Sequence, residues 1–208
     1  MTTGGLVAVG DSIVNGFTDS MAGVPALGWP QWLADAMDLS YTRYGLGGAD
    51  STRIVNELLP KVRGRYAVGV FNMGTNDTYQ DWDAERFEKN LRRASDVMTA
   101  ACERVAVLTV AYSAEATGIV RAVAAEYGLA VVDGDVRGPR LLKPDGIHPT
   151  ALGHLEIAER ASVALGAPSP RTLAKDGGKG ALGAGYWAAY AADSLKQSAK
   201  RAVRPFSL

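Results

Sequence analysis

The stretch Leu6-Val7-Ala8-Val9-Gly10-Asp11-Ser12 indicates a buried strand that ends in a polar turn. Consecutive apolar residues without alternation are typical of a strand in a parallel sheet that is covered on both faces. Further short apolar runs, which we also interpret as strands, follow at Tyr41–Leu46, Ala67–Met73, Val105–Ala111 and Leu129–Val132.

Longer amphipathic stretches separate these runs and predict helices. They cover Trp29–Met37, Thr52–Val62, Ala84–Ala101, Ala114–Tyr127 and Thr150–Leu165. Asp83 and Ser113 are suitable N-caps for two of them, and Gly166 is a suitable stop for the last. Because strands and helices alternate, the sequence predicts an α/β fold, a three-layer α/β/α sandwich around a mostly parallel five-stranded sheet.

Length and composition favour a soluble globular protein with a full hydrophobic core. The chain has 208 residues, of which 47% are hydrophobic and 21% charged, and this balance is typical of globular domains. No apolar run reaches the roughly 18 residues that span a bilayer, and the start of the chain lacks the features of a signal peptide. The single cysteine, Cys102, excludes an intramolecular disulfide. We therefore expect a cytoplasmic protein.

Charge divides the chain into an acidic body and a basic tail. Pro168-Ser169-Pro170 marks a boundary, so we predict one domain over residues 1–168 and a basic extension over residues 169–208. Residues 1–169 have a formal net charge of −5, whereas residues 170–208 have +5. The body lacks the clustered basic residues of a nucleic-acid interface. The tail is expected to form a helix over Tyr186–Val203 that packs on the body or makes a weak contact with a membrane surface or a partner.

Polar and glycine-rich segments follow the predicted strands at one end of the sheet. Ser12 follows the first strand, residues 45–51 follow the second and residues 72–77 follow the third. The segment Asp145-Gly146-Ile147-His148-Pro149 follows the last strand. Because ligands bind at the carboxyl ends of strands in such sheets, we expect these segments to converge on one site.

Ser12 has candidate partners for nucleophilic catalysis. A serine hydroxyl needs an imidazole to accept its proton and a carboxylate to orient that imidazole. The chain has two histidines, His148 and His154. Asp145 precedes the first of them, and Gly146 permits the tight turn that would bring its carboxylate to the ring. His154 is expected to have a surface or packing role within the last helix.

Four segments together resemble the motif blocks of the SGNH/GDSL hydrolase family of serine esterases and lipases. They are Gly10-Asp11-Ser12, Gly47-Gly48-Ala49-Asp50-Ser51, Gly74-Thr75-Asn76-Asp77 and Asp145-Gly146-Ile147-His148-Pro149. The resemblance spans residues 5–165 and implies a flavodoxin-like sandwich. It also implies hydrolysis of carboxylic esters of small or lipid-like substrates through an acyl-enzyme.

The resemblance assigns a role to five residues. It makes Ser12 the nucleophile, His148 the general base and then the general acid, and Asp145 the carboxylate that orients the imidazole. The backbone N–H groups of Ser12 and Gly48 and the side-chain amide of Asn76 would form the oxyanion hole. The implied partner is a small-molecule ester, and neither a cofactor nor a metal is implied.

The sequence does not decide which glycine would donate its N–H group to the oxyanion hole. Tyr44-Gly45-Leu46 stands where the family often has an asparagine, so Gly45 and Gly47 compete with Gly48. Asp11 is expected to hold its loop through its carboxylate rather than to take part in the chemistry.

Several functions remain compatible with these motifs. A carbohydrate O-deacetylase, a thioesterase and an acyltransferase would use the same site. More distant alternatives are a binding module without activity and a metal-dependent phosphoesterase. The ligands of the latter would be Asp11, Asp77, Asp145 and His148.

Overall fold

The structure is a computed structural model that describes residues 4–203, with side chains as far as residue 199. Its centre is a sheet of five parallel strands in the order β2-β1-β3-β4-β5. The strands are β1 (Gly5–Gly10), β2 (Ser40–Gly45), β3 (Tyr66–Phe71), β4 (Cys102–Leu108) and β5 (Ala130–Val132). The predicted fold class is confirmed, and the strand order is the flavodoxin-like one. Two ends of the chain lie outside the described residues: residues 1–3 of the predicted domain and residues 204–208 of the predicted basic extension. The side chains of Lys200 and Arg201 lie outside them too.

Helices cover both faces of the sheet. One face carries α2 (Trp29–Ala36) and α7 (Ala151–Leu165), and the other carries α5 (Ala84–Ala101) and α6 (Ala114–Tyr127). Side chains of β1 alternate between the two layers, because Leu6 and Ala8 enter the first core whereas Val7 and Val9 enter the second. Burial on both faces explains why the strand lacks the polar alternation of a half-exposed sheet.

The predicted helix over Thr52–Val62 is divided into three short pieces. They are α3 (Ser51–Arg53), a π-helical turn (Ile54–Leu58) and a 3₁₀ turn (Leu59–Lys61). Pro60 has no N–H group, and its ring would clash with the carbonyl four residues earlier, which prevents a regular α-helix at this point.

Two short helices that sequence reasoning missed lie at the carboxyl edge of the sheet. They are α1 (Ser12–Asn15) and α4 (Thr75–Gln80). Each is too short to show a helical period, so hydrophobic patterning cannot detect it. Both start within the motif blocks and therefore orient the residues of the site.

The segment after α7 packs on the body of the molecule. It forms two 3₁₀ turns, Pro170–Leu173 and Lys175–Gly178, and the side chain of Ala174 between them is buried. Arg171 Nη2 forms an ion pair with Glu156 on α7. The largely exposed α8 (Ala184–Val203) follows. Within residues 4–203, none of the helices combines the length and the apolar character needed to cross a bilayer.

Candidate active site

The site lies at the carboxyl ends of β1 and β3, where the strand order reverses. β1 pairs with β2 on one side and with β3 on the other. The helices that follow β1 and β3 cover opposite faces of the sheet, which leaves a crevice between the two connections. Ser12 follows β1 directly, and Asn76 lies in the first turn of α4.

Ser12, His148 and Asp145 form one hydrogen-bonded chain. Ser12 Oγ lies 2.8 Å from His148 Nε2, and His148 Nδ1 lies 2.8 Å from Asp145 Oδ2. When the carboxylate accepts the proton on Nδ1, Nε2 is left as an acceptor for the serine hydroxyl. The side chains of His148 and Asp145 are 32% and 28% exposed, so a small molecule can reach this hydrogen-bonded series of side chains.

Asp145 also organises the loop that carries His148. Its Oδ1 accepts the backbone N–H groups of Ile147 and His148 at 2.8 and 2.9 Å. Gly146 between them has a left-handed backbone with φ of +76°, a conformation that glycine adopts at no steric cost. Burial would raise the pKa of Asp145, but the hydrogen bonds from His148 and Ile147 outweigh burial and lower the pKa to about 2. The carboxylate is therefore ionised at neutral pH.

Asp11 joins the loop after β1 to the loop after β3. Its fully buried carboxylate accepts the Ile13 N–H and Asn72 Nδ2, both at 2.8 Å. Burial raises the pKa of Asp11 to about 6, although these hydrogen bonds oppose the shift. These hydrogen bonds show that Asp11 holds the loop in which Ser12 is the next residue.

The Asn76 amide lies between the loops that carry the other two predicted oxyanion donors. Its Nδ2 donates to the Ala49 carbonyl at 2.9 Å and lies 3.4 Å from Asp11 Oδ2. Ala49 directly follows Gly48, and Asp11 directly precedes Ser12. The Asn76 amide thus contacts both loops that carry the other two predicted donors.

The three candidate glycines differ in what their backbone requires. A Cβ at Gly45 would lie 2.0 Å from Asn15 Oδ1, so this glycine permits a close approach. Gly48 has φ of +74°, and a Cβ there would meet no atom within 4 Å. Gly47 also has open space around it but no positive φ. Of the three, Gly48 has the special loop conformation and the uncrowded surroundings expected beside a bound substrate.

A polar network around the buried side chains of Ser51 and Asp77 holds the loop that contains Gly48. Asp77 accepts the N–H of Ser51 at 2.9 Å and its hydroxyl at 2.5 Å. Asn90 Nδ2 donates to the same hydroxyl oxygen at 2.9 Å. Sequence reasoning missed this network, because Asp77 was interpretable as a turn residue and Asn90 lies in a different helix. The one available signal was the polar Asn90 within the otherwise amphipathic stretch Ala84–Ala101.

The remaining histidine and the cysteine have packing roles. His154 is buried in α7, where its Nδ1 accepts the Trp29 N–H at 3.3 Å. Burial, together with the smaller effects of the Lys143 and His148 charges, lowers the pKa of His154 to about 3. Cys102 is buried at the start of β4, and burial raises the pKa of its thiol to about 11.

The metal-dependent alternative lacks a ligand set in the described part of the chain. Among residues 4–203, no group of three or more His, Cys, Asp or Glu side chains is arranged to hold an ion. The carboxylates of Asp11, Asp77 and Asp145 instead accept N–H groups from separate partners.

Comparison with known proteins identifies the family. A sequence model of the GDSL-like lipase/acylhydrolase family matches residues 8–155, which is more than half of the chain. The chain belongs to this family. It is accordingly an enzyme of the GDSL esterase/lipase type, and all four motif blocks include residues within the match. A search of curated proteins gives no significant match.

Several solved structures share the fold. LAE5, an alpha/beta hydrolase enzyme from the metagenome of Lake Arreo, is 21% identical with a TM-score of 0.62, over 79% of this chain and 96% of LAE5. A catalytic mutant of the acetylxylan esterase Axe2 from Geobacillus stearothermophilus is 16% identical with a TM-score of 0.60, over 79% and 95%. TesA is 24% identical with a TM-score of 0.58, over 77% and 97%. At these identities the likeness establishes the fold.

Proposed function

We propose that this GDSL-family enzyme hydrolyses carboxylic esters through a Ser12–His148–Asp145 triad and an acyl-enzyme intermediate. The observation that carries the proposal is the continuous chain from Ser12 Oγ to His148 Nε2 and from His148 Nδ1 to Asp145 Oδ2, each step 2.8 Å. This geometry suits a nucleophile, a general base and the group that orients the base.

Acylation begins when Ser12 Oγ attacks the ester carbonyl. His148 Nε2 accepts the hydroxyl proton as the C–O bond forms, and the ionised Asp145 stabilises the resulting imidazolium. The tetrahedral intermediate collapses when His148 returns the proton to the leaving alcohol oxygen. The alcohol departs, and the acyl group stays on Ser12.

The negative charge of the tetrahedral intermediate would be stabilised by the N–H groups of Ser12 and Gly48 and by Asn76 Nδ2. One contact of the Asn76 amide is the long 3.4 Å approach to Asp11. The N–H group in that weak contact is the one available to a developing oxyanion. Removing one such donor typically lowers kcat by about 10²–10³.

Deacylation repeats these steps with water as the nucleophile. His148 removes a proton from water, the hydroxide adds to the acyl carbon, and Ser12 leaves with the proton from His148. The products are the free enzyme and a carboxylic acid, which releases its proton to water at neutral pH. An alcohol acceptor in place of water would give acyl transfer through the same groups.

The family fold is compatible with esters of small or lipid-like acids. An acetylxylan esterase shares the fold at 16% identity, a likeness that shows the fold and does not choose the acyl group of this enzyme. A panel of p-nitrophenyl esters of increasing chain length would define the acyl preference.

The proposal is tested with Ser12→Ala, assayed on p-nitrophenyl acetate. We expect kcat to fall by about 10³–10⁶ because the nucleophile is lost. Ser40→Ala is the matched control, since Ser40 lies at the opposite end of the sheet at the start of β2. Near-normal turnover by Ser12→Ala, or loss of wild-type activity with EDTA, would contradict the mechanism.

A further inference from the structure

The C-terminal segment forms one side of a cleft whose lining includes the loop that leads into the proposed triad residue Asp145. This segment lies beyond the family match at residues 8–155. The cleft has a volume of about 470 Å³, within the range of about 300–1,000 Å³ that is typical of small-molecule sites. Its walls are the loop of residues 18–22 and the start of α8, and Lys143 and Pro144 also line it.

The cleft and the triad share the loop that carries His148. Lys143 and Pro144 immediately precede Asp145. The Lys143 N–H donates to the His148 carbonyl at 2.9 Å, and Lys143 Nζ donates to the Phe17 carbonyl at 2.5 Å. A group bound in the cleft therefore contacts the loop that carries Asp145 and His148.

Backbone contacts fix the loop of residues 18–22 and join it to the C-terminal segment. Met21 and Val24 exchange backbone hydrogen bonds of 3.0 and 2.8 Å, and Ala22 between them has φ of +52°. A left-handed backbone at a non-glycine residue is strained and recurs at functional sites. Gly180 lies so close to the Ala22 carbonyl that a Cβ there would clash with it. Arg140 Nη2 donates to the Gly180 carbonyl at 2.9 Å. The cleft is thus built into the fold.

Aromatic faces and carboxylates line the cleft. The ring centroids of Tyr186 and Tyr190 are 5.9 Å apart, and the Tyr186 hydroxyl donates to the Pro139 carbonyl, which fixes its ring. Asp19 and Asp193 add carboxylates to the same cleft. Aromatic faces suit the C–H faces of a sugar ring, and the hydroxyl groups around that ring are donors for carboxylate oxygens.

The charges of the cleft favour a neutral ligand. Its carboxylates are those of Asp19 and Asp193, and the second also pairs with Lys196 at 3.3 Å. The ammonium group of Lys143 is already hydrogen-bonded to a backbone carbonyl. Lys143 and Lys196 balance the charges of Asp19 and Asp193, so the cleft offers no net charge to a phosphate or a carboxylate. The hydroxyls of Thr18 and Ser20 lie among apolar side chains in the lining, a mixture that suits the hydroxyl groups and C–H faces of a sugar ring.

We propose that this cleft binds the alcohol part of the ester and that this alcohol is a neutral carbohydrate. The inference rests on the ester hydrolysis proposed above and names its substrate class. Ser12 would take the acyl group from a sugar hydroxyl, His148 would protonate the departing sugar oxygen, and water would then release the acid. The C-terminal segment would in this way determine specificity without touching the reacting atoms.

The test compares hydrolysis of mono-O-acetylated cellobiose, xylobiose and maltose with hydrolysis of p-nitrophenyl acetate. Tyr190→Ala is expected to lower the ratio of kcat/KM, acetylated sugar over p-nitrophenyl acetate, by at least about tenfold, the scale of one lost packing contact. Tyr190→Phe keeps the aromatic face and should keep most of the ratio. Leu195→Ala, at a side chain on the same helix that is 73% exposed, should leave it unchanged.

The outcomes separate this inference from the proposed function. A wild-type enzyme that hydrolyses p-nitrophenyl acetate but none of the three acetylated sugars overturns the carbohydrate cleft alone. The same holds if Tyr190→Ala lowers both activities equally, or if it selectively lowers hydrolysis of p-nitrophenyl decanoate. Absence of any Ser12-dependent hydrolysis would overturn the proposed function. In that case calorimetric titration of cellobiose, xylobiose and maltose into wild type and Tyr190→Ala still tests the cleft, because binding must be weaker in the variant.

Discussion

At the scale of single residues, the two carboxylates of the site have opposite environments and opposite pKa shifts. Asp145 is only partly buried and accepts several N–H groups, which lower its pKa to about 2. Asp11 is fully buried, and burial raises its pKa to about 6 despite its hydrogen bonds. The first suits a group that must stay ionised beside an imidazole, and the second suits a structural group.

Asp145→Asn is expected to lower kcat by about 10²–10⁴ without unfolding the loop. The new amide oxygen can still accept the backbone N–H groups of Ile147 and His148. The amide nitrogen, however, faces Nδ1 as a donor and favours the tautomer in which Nε2 carries the proton. Steady-state kinetics on p-nitrophenyl acetate measures the loss, and thermal unfolding serves as the control. An unchanged kcat would show that Asp145 does not orient the base.

Asp11→Asn is expected to change how stability depends on pH. Asp11 takes up its proton near pH 6 when folded and near 3.8 when unfolded, so its contribution to the unfolding free energy falls as pH rises through this window. At about 1.4 kcal/mol per unit of pKa shift, the wild type should gain about 2 kcal/mol relative to the variant between pH 7.5 and pH 4.5. Urea unfolding of both proteins at the two pH values measures this. A wild-type-minus-variant difference that does not vary with pH would contradict the raised pKa.

At the scale of elements, the loop between β2 and α3 depends on its backbone conformation. Gly48 adopts φ of +74°, and the network of Asp77, Ser51 and Asn90 holds the end of the loop. The loop therefore presents the N–H of Gly48 from a fixed conformation. The role proposed for Gly48 depends on a conformation that residues with a Cβ rarely adopt.

Gly48→Ala is expected to lower kcat at least tenfold, because a left-handed backbone costs a residue with a Cβ about 1–2 kcal/mol and the strained loop would move its N–H. Gly47→Ala is the matched control, since its surroundings are equally open and its φ is not positive. Kinetics on p-nitrophenyl acetate distinguishes the two variants. Equal effects of both substitutions would remove the special role assigned to Gly48.

The elements divide clearly into those that sequence patterning detects and those that it misses. The strands and the long helices α5 and α6 were predictable because buried apolar runs and helical periods extend over many residues. The short α1 and α4 have no measurable period, and the effect of Pro60 on its helix depends on local backbone geometry. The meeting of the polar segments at one edge of the sheet was predictable because the carboxyl ends of the strands converge. The roles of the individual residues came from the resemblance to the family motif blocks and stay predictions. The hydrogen bonds by which Asp77 and Asn90 hold the Gly48 loop were not predictable, because they depend on contacts between separate helices.

At the scale of the whole molecule, the basic C-terminal segment has two parts with different surroundings. Residues 170–178 pack on α7 and the body, with Pro170, Ala174 and Gly178 buried. α8 begins at Ala184 and leaves Trp187 and Leu195 exposed. Composition and charge describe the segment as one basic tail, because neither reveals which part of it meets the body.

Two truncations should separate these parts. Removal of residues 184–208 deletes exposed helix and one wall of the cleft, so we expect a small change in the unfolding free energy. Removal of residues 170–208 also deletes buried apolar contacts and the partner of Glu156, and is expected to cost on the order of 2–4 kcal/mol. Urea unfolding of the two truncated proteins and the full chain measures the difference. Equal stability of both truncated forms would contradict the packing of residues 170–178.

The central claim is that Ser12 is a nucleophile activated by His148, and covalent labelling tests it most directly. The full-length protein is treated with a fluorophosphonate, and the adduct is located by mass spectrometry of the intact protein and its peptides. We expect one adduct, on Ser12, that is absent in Ser12→Ala and forms much more slowly in His148→Ala. A wild-type protein that remains unlabelled, or carries the adduct on another residue, would contradict the account.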